Sequence, residues 1–312
     1  MMLCNMLAAV AIAFPKAGQT LPPVSRTYMT GSVSPEVGTL TVQGAEVAIY
    51  RTGAWLAMVD LKPGENVIVV KAGGTTTNVT VRTEMPRTPA KKSAAAKTPP
   101  KPVEYKKLAY ASDVARKHPF GKTRAETVIA IDPGHGGAAD TGAVSPHGWP
   151  EKDANLALSL EVRAELEAMG YKVKLTRTDD RAIVLHDRGR IACGADGADA
   201  FVSIHHNSTP CDKDPRLSRY TCVYAWNGIG RKLAEKISAR TAAALKGDIP
   251  SNGVLHANFA VTRNPETPSC LVETDFLNTP EGEEAVWDAG RRRKLAAAIA
   301  AGVDDWCRTP PE

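Results

Sequence analysis

The chain has 312 residues, enough for one large domain or for a medium and a small one. With 43% hydrophobic residues it can build a real core. The formal charge of +5 is mild and much of the excess falls in one basic stretch, Lys91 to Lys107, so the folded body is not read as a nucleic-acid binder; a basic tether would still suit an anionic surface such as a cell envelope.

The apolar run from Met6 to Phe14 is too short to cross a bilayer as a helix, and we expect no transmembrane segment. Residues 1–20 read as a candidate signal segment with Ala11-Ile12-Ala13 as a small-residue cleavage site, which predicts export to the periplasm or cell envelope. Met1 to Asn5 carries no Lys or Arg, so a buried first strand or a misplaced start stands as the alternative.

Residues 27–84 read as a small all-β sandwich. Short apolar or alternating stretches occur at Leu40-Thr41-Val42, Val47-Ala48-Ile49-Tyr50, Trp55 to Val59, Val67 to Val70 and Val79-Thr80-Val81, with turn residues between them. The pattern resembles bacterial Ig-like modules. It shows no catalytic constellation, and a spacer or a wall-binding role fits it. Residues 85–107 form a Pro/Lys linker, kept extended by proline and solvated by lysine, which implies that the flanking domains move independently.

Residues 124–308 alternate between strands and helices. The expected elements are strands at 127–131, 171–176, 200–205, 259–262 and 270–273, and helices at 154–169, 185–193, 229–245 and 291–306. On the 154–169 helix, Leu156, Leu160 and Leu166 are among the apolar positions. The expected fold is α/β: a mostly parallel twisted sheet with helices on both faces. Sites in such folds lie beyond the carboxyl ends of the strands. Six cysteines include no CxxC pair, which argues against a structural zinc ribbon. Cys211 and Cys222 flank a polar loop, and they read either as a disulfide or as two free thiols.

His135 follows the first of these strands in Asp132-Pro133-Gly134-His135-Gly136-Gly137, a loop that alone fits a phosphate cradle or a tight turn. Glu151 precedes the first long helix, and His205 ends a strand. Two imidazoles and one carboxylate form a usual catalytic zinc set with one position left open. Glu273 ends another apolar strand, where a carboxylate is costly unless it is paired or used, and it can carry protons. Asp132 reads as a loop-fixing residue, Arg177 and Arg188 as partners of nearby carboxylates, and His118, His147 and His186 as surface or local hydrogen-bonding groups.

Five segments in order, Val128 to Gly137, Glu151 to Leu156, Thr176 to Asp180, Val202 to Asn207 and Leu271 to Thr274, resemble the zinc-dependent N-acetylmuramoyl-L-alanine amidases of the amidase-3 family. The resemblance covers residues 126–306. It implies one Zn2+ ion held by His135, Glu151 and His205, with Glu273 as the catalytic acid/base. It also implies hydrolysis of the amide between the lactyl group of N-acetylmuramic acid and L-alanine, in peptidoglycan or muropeptides. Asn207, Asn258 and Arg263 are the implied substrate contacts. No long insertion separates His205 from Glu273, which points to an enzyme without the autoinhibitory helix of some division amidases; a monomer is expected, with control by a protein activator left open.

Two positions depart from the family pattern. His206 stands where a small residue is usual, and Asp275 where glycine is common, which leaves the shape of the groove in question. Adjacent strand residues face opposite ways, so one of His205 and His206 is expected at the metal, and the register favours His205. The competing readings are a zinc carboxypeptidase acting on wall peptides and a non-catalytic wall-binding protein.

Overall fold

A computed structural model describes residues 10–34, 36–85, 118–193, 197–226, 228–263 and 267–311. Apart from residue 85, the expected Pro/Lys linker lies outside the described residues.

The N-terminal part is all β. It comprises β1 (Val10–Phe14), β2 (Thr20–Leu21), β3 (Arg26–Val33), β4 (Leu40–Val42), β5 (Ala45–Glu46), β6 (Ala54–Asp60), β7 (Gly64–Ala72) and β8 (Thr75–Thr83). They form two sheets, ordered β1-β3-β6 and β2-β8-β7-β4-β5. The period-two pattern is clear in β8, where Val79, Val81 and Thr83 are buried while Asn78 and Arg82 are exposed. Both sheets contribute to one core around Trp55, Met29, Ile68 and Val70.

The sandwich starts earlier than residue 27. Val10–Phe14, which the sequence placed in a signal segment, pairs antiparallel with β3, and Val10 enters the core. β3 itself was not legible as a strand, because Thr27, Thr30, Gly31 and Ser32 break its apolar pattern. The two threonines are buried at no cost in unpaired hydroxyls: Thr27 Oγ1 donates to Cys211 O (2.9 Å) and Thr30 Oγ1 to Trp55 O (2.6 Å). The strand expected at Val47–Tyr50 is reduced to an isolated bridge between Ile49 and Trp55.

The second part runs through β9 (Val128–Pro133), α1 (Glu151–Ala168), β10 (Lys172–Leu175), α2 (Leu185–Cys193), β11 (Ala200–Asn207), β12 (Thr221–Ala225), α3 (Gly228–Ala244), β13 (Ser251–His256), β14 (Ser269–Phe276), α4 (Pro280–Trp287) and α5 (Ala289–Arg308). The sheet order is β10-β9-β11-β14-β12-β13. The first four of these strands are mutually parallel, whereas β12 runs antiparallel to β14 and β13 follows β12. The mostly parallel α/β sheet is therefore as expected, with a reversed pair at one edge.

One face carries Ile129, Ile131, Val202, Ile204 and Val272 against α1, α3 and α5. The other carries Ala130, Phe201 and Leu271 and is covered in part by Val261 and α2. On α1 the buried stripe is Ala154, Leu158, Val162 and Leu166, a clean i, i+4 series; of the three expected apolar positions Leu166 is buried, Leu156 is half-buried and Leu160 is exposed. The strand expected at 259–262 is a 3-10 turn, Ala260–Thr262. β12, β13 and α4 were not foreseen. α4 carries local start signals all the same: Pro280 in its first turn, and Thr279 Oγ1 accepting from Gly282 N at 2.8 Å.

Cys211 and Cys222 are both free thiols, which removes the disulfide reading. Cys222 lies in β12 opposite Glu273, and Cys211 is in a loop against β3. Among the described residues no helix is long and apolar enough to cross a membrane.

Candidate metal centre

The parallel strands β9, β11 and β14 end at the same edge of the sheet, and their last residues build the site. Gly134 N donates to Ile204 O at 3.0 Å, so the loop after β9 lies flat against β11. A side chain at 134 could not fit, since its Cβ would stand 2.2 Å from the His205 ring. His135 follows with φ of 58°, the left-handed region that few non-glycine residues adopt, histidine among them. Such a conformation persists only where the surroundings enforce it.

Glu151 reaches the same place by a different route. Residues 143–150 make a tight hairpin, with Val144 bridged to Pro150 and Glu151 N donating to Ala143 O at 2.8 Å. The hairpin delivers Glu151 as the first residue of α1, where the helix dipole favours a carboxylate.

The three side chains converge. Glu151 Oε2 is 3.3 Å from His135 Nε2 and Glu151 Oε1 is 3.0 Å from His205 Nδ1. One ligand-type atom from each of the three lies within 4.8 Å of the others. Desolvation opposes charge on Glu151, but the hydrogen bonds and charges of the two imidazoles outweigh it and hold its pKa well below the usual range. Burial likewise opposes the imidazolium of His135, but Glu151 and Asp140 raise its pKa to about 9. Asp140 Oδ1 is 2.5 Å from His135 Nδ1, which turns the other ring nitrogen toward Glu151.

These residues fit a zinc ion. The donor set is two nitrogens and one oxygen, as in catalytic zinc sites. The backbone around it is cleared of side-chain bulk: a Cβ at Gly142 would stand 2.5 Å from Glu151 Oε2 and 2.6 Å from the His135 ring. The contact of His135 with Asp140 is the outer partner that metal-binding histidines usually have.

Glu273 stands beside this cluster, paired in register with His205. Its Oε2 is shielded from solvent and has no hydrogen-bond partner among the described residues. Desolvation, and then the negative charge of Glu151, push its pKa well above the ordinary carboxylate value. A carboxyl group so placed holds a proton readily and has a free oxygen with which to exchange it. The next acidic residue on the strand, Asp275, does not enter the groove. Between the pairs His205–Glu273 and Asn207–Phe276 the register shifts by one residue, a bulge that turns Asp275 away. It is buried and held by Arg219 (2.7 Å) and Arg291 (2.8 Å), so its departure from glycine leaves the groove untouched.

The support behind these three side chains is polar and nearly closed. Asp132 accepts from Thr176 Oγ1 (2.5 Å), Arg188 Nη1 (2.9 Å) and Ser203 Oγ (2.7 Å), which bears out its loop-fixing role and the carboxylate partner expected for Arg188. Arg177 differs from expectation. Among the described residues it pairs with no carboxylate; instead it donates to four carbonyls, Pro133, Gly134, Lys152 and Asp179, at 2.8–3.0 Å. It thereby ties the His135 loop to the first turn of α1. Arg177→Lys leaves one compact ammonium where a planar fork spanned these acceptors. We expect a loss of about 2–3 kcal/mol in urea unfolding from stranded buried carbonyls, together with weakened metal retention. Unchanged unfolding would show that the fork is dispensable.

His206 faces away from the cluster, as the register required. Burial pushes its pKa down to about 4, so it is neutral. Its Nδ1 lies 2.8 Å from Asn155 Oδ1, which orients that amide so that Nδ2 donates to Glu151 Oε1 (3.0 Å) and Gly134 O (3.2 Å). Asp140 and Asn155 were missed by sequence reasoning. Asn155 had a usable signal, because it follows Glu151 by one helical turn on the same face.

The expected substrate contacts scatter. Asn207 is at the same sheet edge as the cluster, where its Oδ1 accepts from Ser208 N (2.8 Å) and its side chain bonds Tyr220. Asn258 and Arg263 are exposed but follow β13, whose end pairs with Ala225 at the opposite edge of the sheet. The reversal of β12 and β13 separates them from the cluster.

A family model described as N-acetylmuramoyl-L-alanine amidase matches residues 129–305. Among curated proteins, AmiC of Neisseria meningitidis serogroup B, named as an N-acetylmuramoyl-L-alanine amidase, is 34% identical over 234 residues, covering 61% of this chain and 55% of its own length. AmiA of Salmonella typhimurium, with the same description, is 32% identical over 225 residues, covering 58% of this chain and 76% of its own. Among solved structures, the amidase AmiC2 of Nostoc punctiforme superposes with a TM-score of 0.54 at 34% identity, over 58% of this chain and 97% of that one.

Proposed function

Since the chain belongs to the N-acetylmuramoyl-L-alanine amidase family matched over residues 129–305, we propose that it hydrolyses the amide between the lactyl group of N-acetylmuramic acid and L-alanine of peptidoglycan stem peptides, using one zinc ion. The observation that carries this reading is the convergence of His135, Glu151 and His205 at one strand edge, with the unpartnered Oε2 of Glu273 alongside.

Zinc bound at such a set supplies Lewis acidity, polarising a carbonyl and acidifying water. The remaining work falls to the chain's own groups. Glu273 would take up at Oε2 a proton from the attacking water and pass it to the departing amine nitrogen, so that the new C–O bond replaces the C–N bond and the amine leaves neutral. Burial and the nearby charge of Glu151 favour its protonated form, so the proton is held until the amine can accept it. Asp140 keeps the His135 ring in one orientation, and Asn155 does the same for Glu151. Asn207, at the same edge, is the remaining candidate for direct substrate contact. Asn258 and Arg263 would serve only a ligand long enough to run across the open face of the sheet. Because intact peptidoglycan lies outside the cytoplasmic membrane, action on it implies export, which cell fractionation would check.

The test is digestion of purified peptidoglycan followed by mass spectrometry. The expected products are free peptides beginning with L-alanine and a glycan whose N-acetylmuramic acid keeps its lactyl group. Alanine left on muramic acid would assign the activity to a stem peptidase and overturn the reading.

A further inference from the structure

The sandwich and the α/β part are in contact, contrary to the independent motion that the linker composition implied. The contacts fall in a pattern. Each of the three segments they reach adjoins one residue of the site.

The first is the hairpin that leads into Glu151. His147 sits at its tip, partly buried, with Nδ1 2.8 Å from Glu283 Oε2 and Nε2 3.1 Å from Thr52 O in the turn between β5 and β6. Its backbone N also donates to Glu283 Oε1 at 3.0 Å. Thr52 O can only accept, so Nε2 carries a proton. The histidine is thus neither a surface nor a local group; it bridges the two parts of the chain. Trp149, in the same hairpin, stacks on its ring at 5.1 Å.

The second segment follows His205. Cys211 O accepts from Tyr28 N (3.2 Å) and from Thr27 Oγ1 (2.9 Å), so the backbone pairing of β3 continues across the seam. The Tyr28 hydroxyl bonds Ser208 there. The third segment follows Glu273. The Tyr28 hydroxyl also bonds Asn278, and Arg51 pairs with Glu284 on α4.

We propose that the N-terminal sandwich is a built-in clamp on the metal edge of the α/β sheet, with His147 as the positioning residue that joins the Thr52 turn to the hairpin carrying Glu151. The hairpin is short and tied at its base by Glu151 N to Ala143 O, and Ala143 N in turn donates to Glu151 Oε2 at 2.9 Å. A tip fixed from outside therefore fixes the carboxylate. The sandwich acts on the site without touching substrate. This rests on the reading that His135, Glu151 and His205 hold zinc, although its first readout does not require turnover.

The experiment uses the full chain and two perturbations. His147→Ala removes the bridge from the hairpin side. Arg51→Glu acts from the sandwich side at an exposed pair, and Glu284→Arg in the same chain restores the opposite charges. Hydrogen exchange of amides in 143–150 and zinc affinity by chelator competition are measured, with thermal unfolding to confirm folding. His147→Ala is expected to speed hairpin exchange and weaken zinc binding about tenfold. Arg51→Glu is expected to do the same about two- to fivefold, as fits a single exposed ion pair, with recovery in the double variant. Hairpin exchange and zinc affinity unchanged in both His147→Ala and Arg51→Glu would overturn the clamp. Absence of amidase activity with these shifts intact would instead count against the proposed reaction alone.

Discussion

Glu273→Gln is expected to lower kcat on peptidoglycan about 10²- to 10⁴-fold, the range spanned by loss of a positioned acid/base. The substitution keeps the shape of the side chain and removes its proton chemistry. Three features predict that the fold survives. Among the described residues Glu273 Oε2 has no hydrogen-bond partner to lose. Burial and the charge of Glu151 already disfavour its anionic form, so a neutral amide relieves repulsion. Its backbone remains in register with His205 on one side and Cys222 on the other. The measurements are steady-state turnover, zinc content and thermal unfolding of the same preparation. Lost turnover with bound zinc and unchanged unfolding is the expected result. Undiminished turnover would remove Glu273 from the mechanism and leave the shielded oxygen without a role.

Removal of metal is expected to abolish turnover completely, with recovery on adding zinc. A pH dependence follows from the ligands themselves. A ligating histidine must be neutral, yet the metal-free protein holds His135 with its pKa at about 9. At pH 7 zinc must therefore displace a proton from His135. One displaced proton makes affinity rise about tenfold per pH unit from 7 toward 9 and flatten above it. Calorimetry in buffers of different ionisation enthalpy would count the protons released. Zinc affinity independent of pH over that window would mean that His135 is not a ligand. Saturating zinc, at about 100 times its dissociation constant, should also stabilise the fold by about 2.7 kcal/mol.

Much of the site was legible because it is built from strand ends. An apolar run followed by histidine or glutamate marks a side chain presented at the sheet edge, and His135, His205 and Glu273 all carry that mark. Glu151 was legible from its place just before a helix. Less legible were the groups that act through the backbone. Arg177 reaches four carbonyls, and no side-chain pattern announces carbonyls as partners. Asn258 and Arg263 were carried over by resemblance, while their distance from the metal edge depends on the antiparallel entry of β12, which periodicity does not specify. β1 and β3 were obscured for opposite reasons. β1 resembles a signal core in composition, and β3 buries threonines whose hydroxyls find carbonyl partners elsewhere in the fold.

The extra residue in β14 has a consequence for chain length. Regular pairing after Glu273 would send Asp275 to the same side as Glu273, since alternate strand residues share a face. The bulge instead sends it to Arg219 and Arg291. A residue inserted in β11 between His205 and Asn207 would restore one-for-one pairing. Alternation would then set Asp275 beside Glu273, away from Arg219 and Arg291. A one-residue indel here, unlike one in a surface loop, would rewrite the charge beside the cluster, so the spacing of these two strands is itself part of the chemistry of the site.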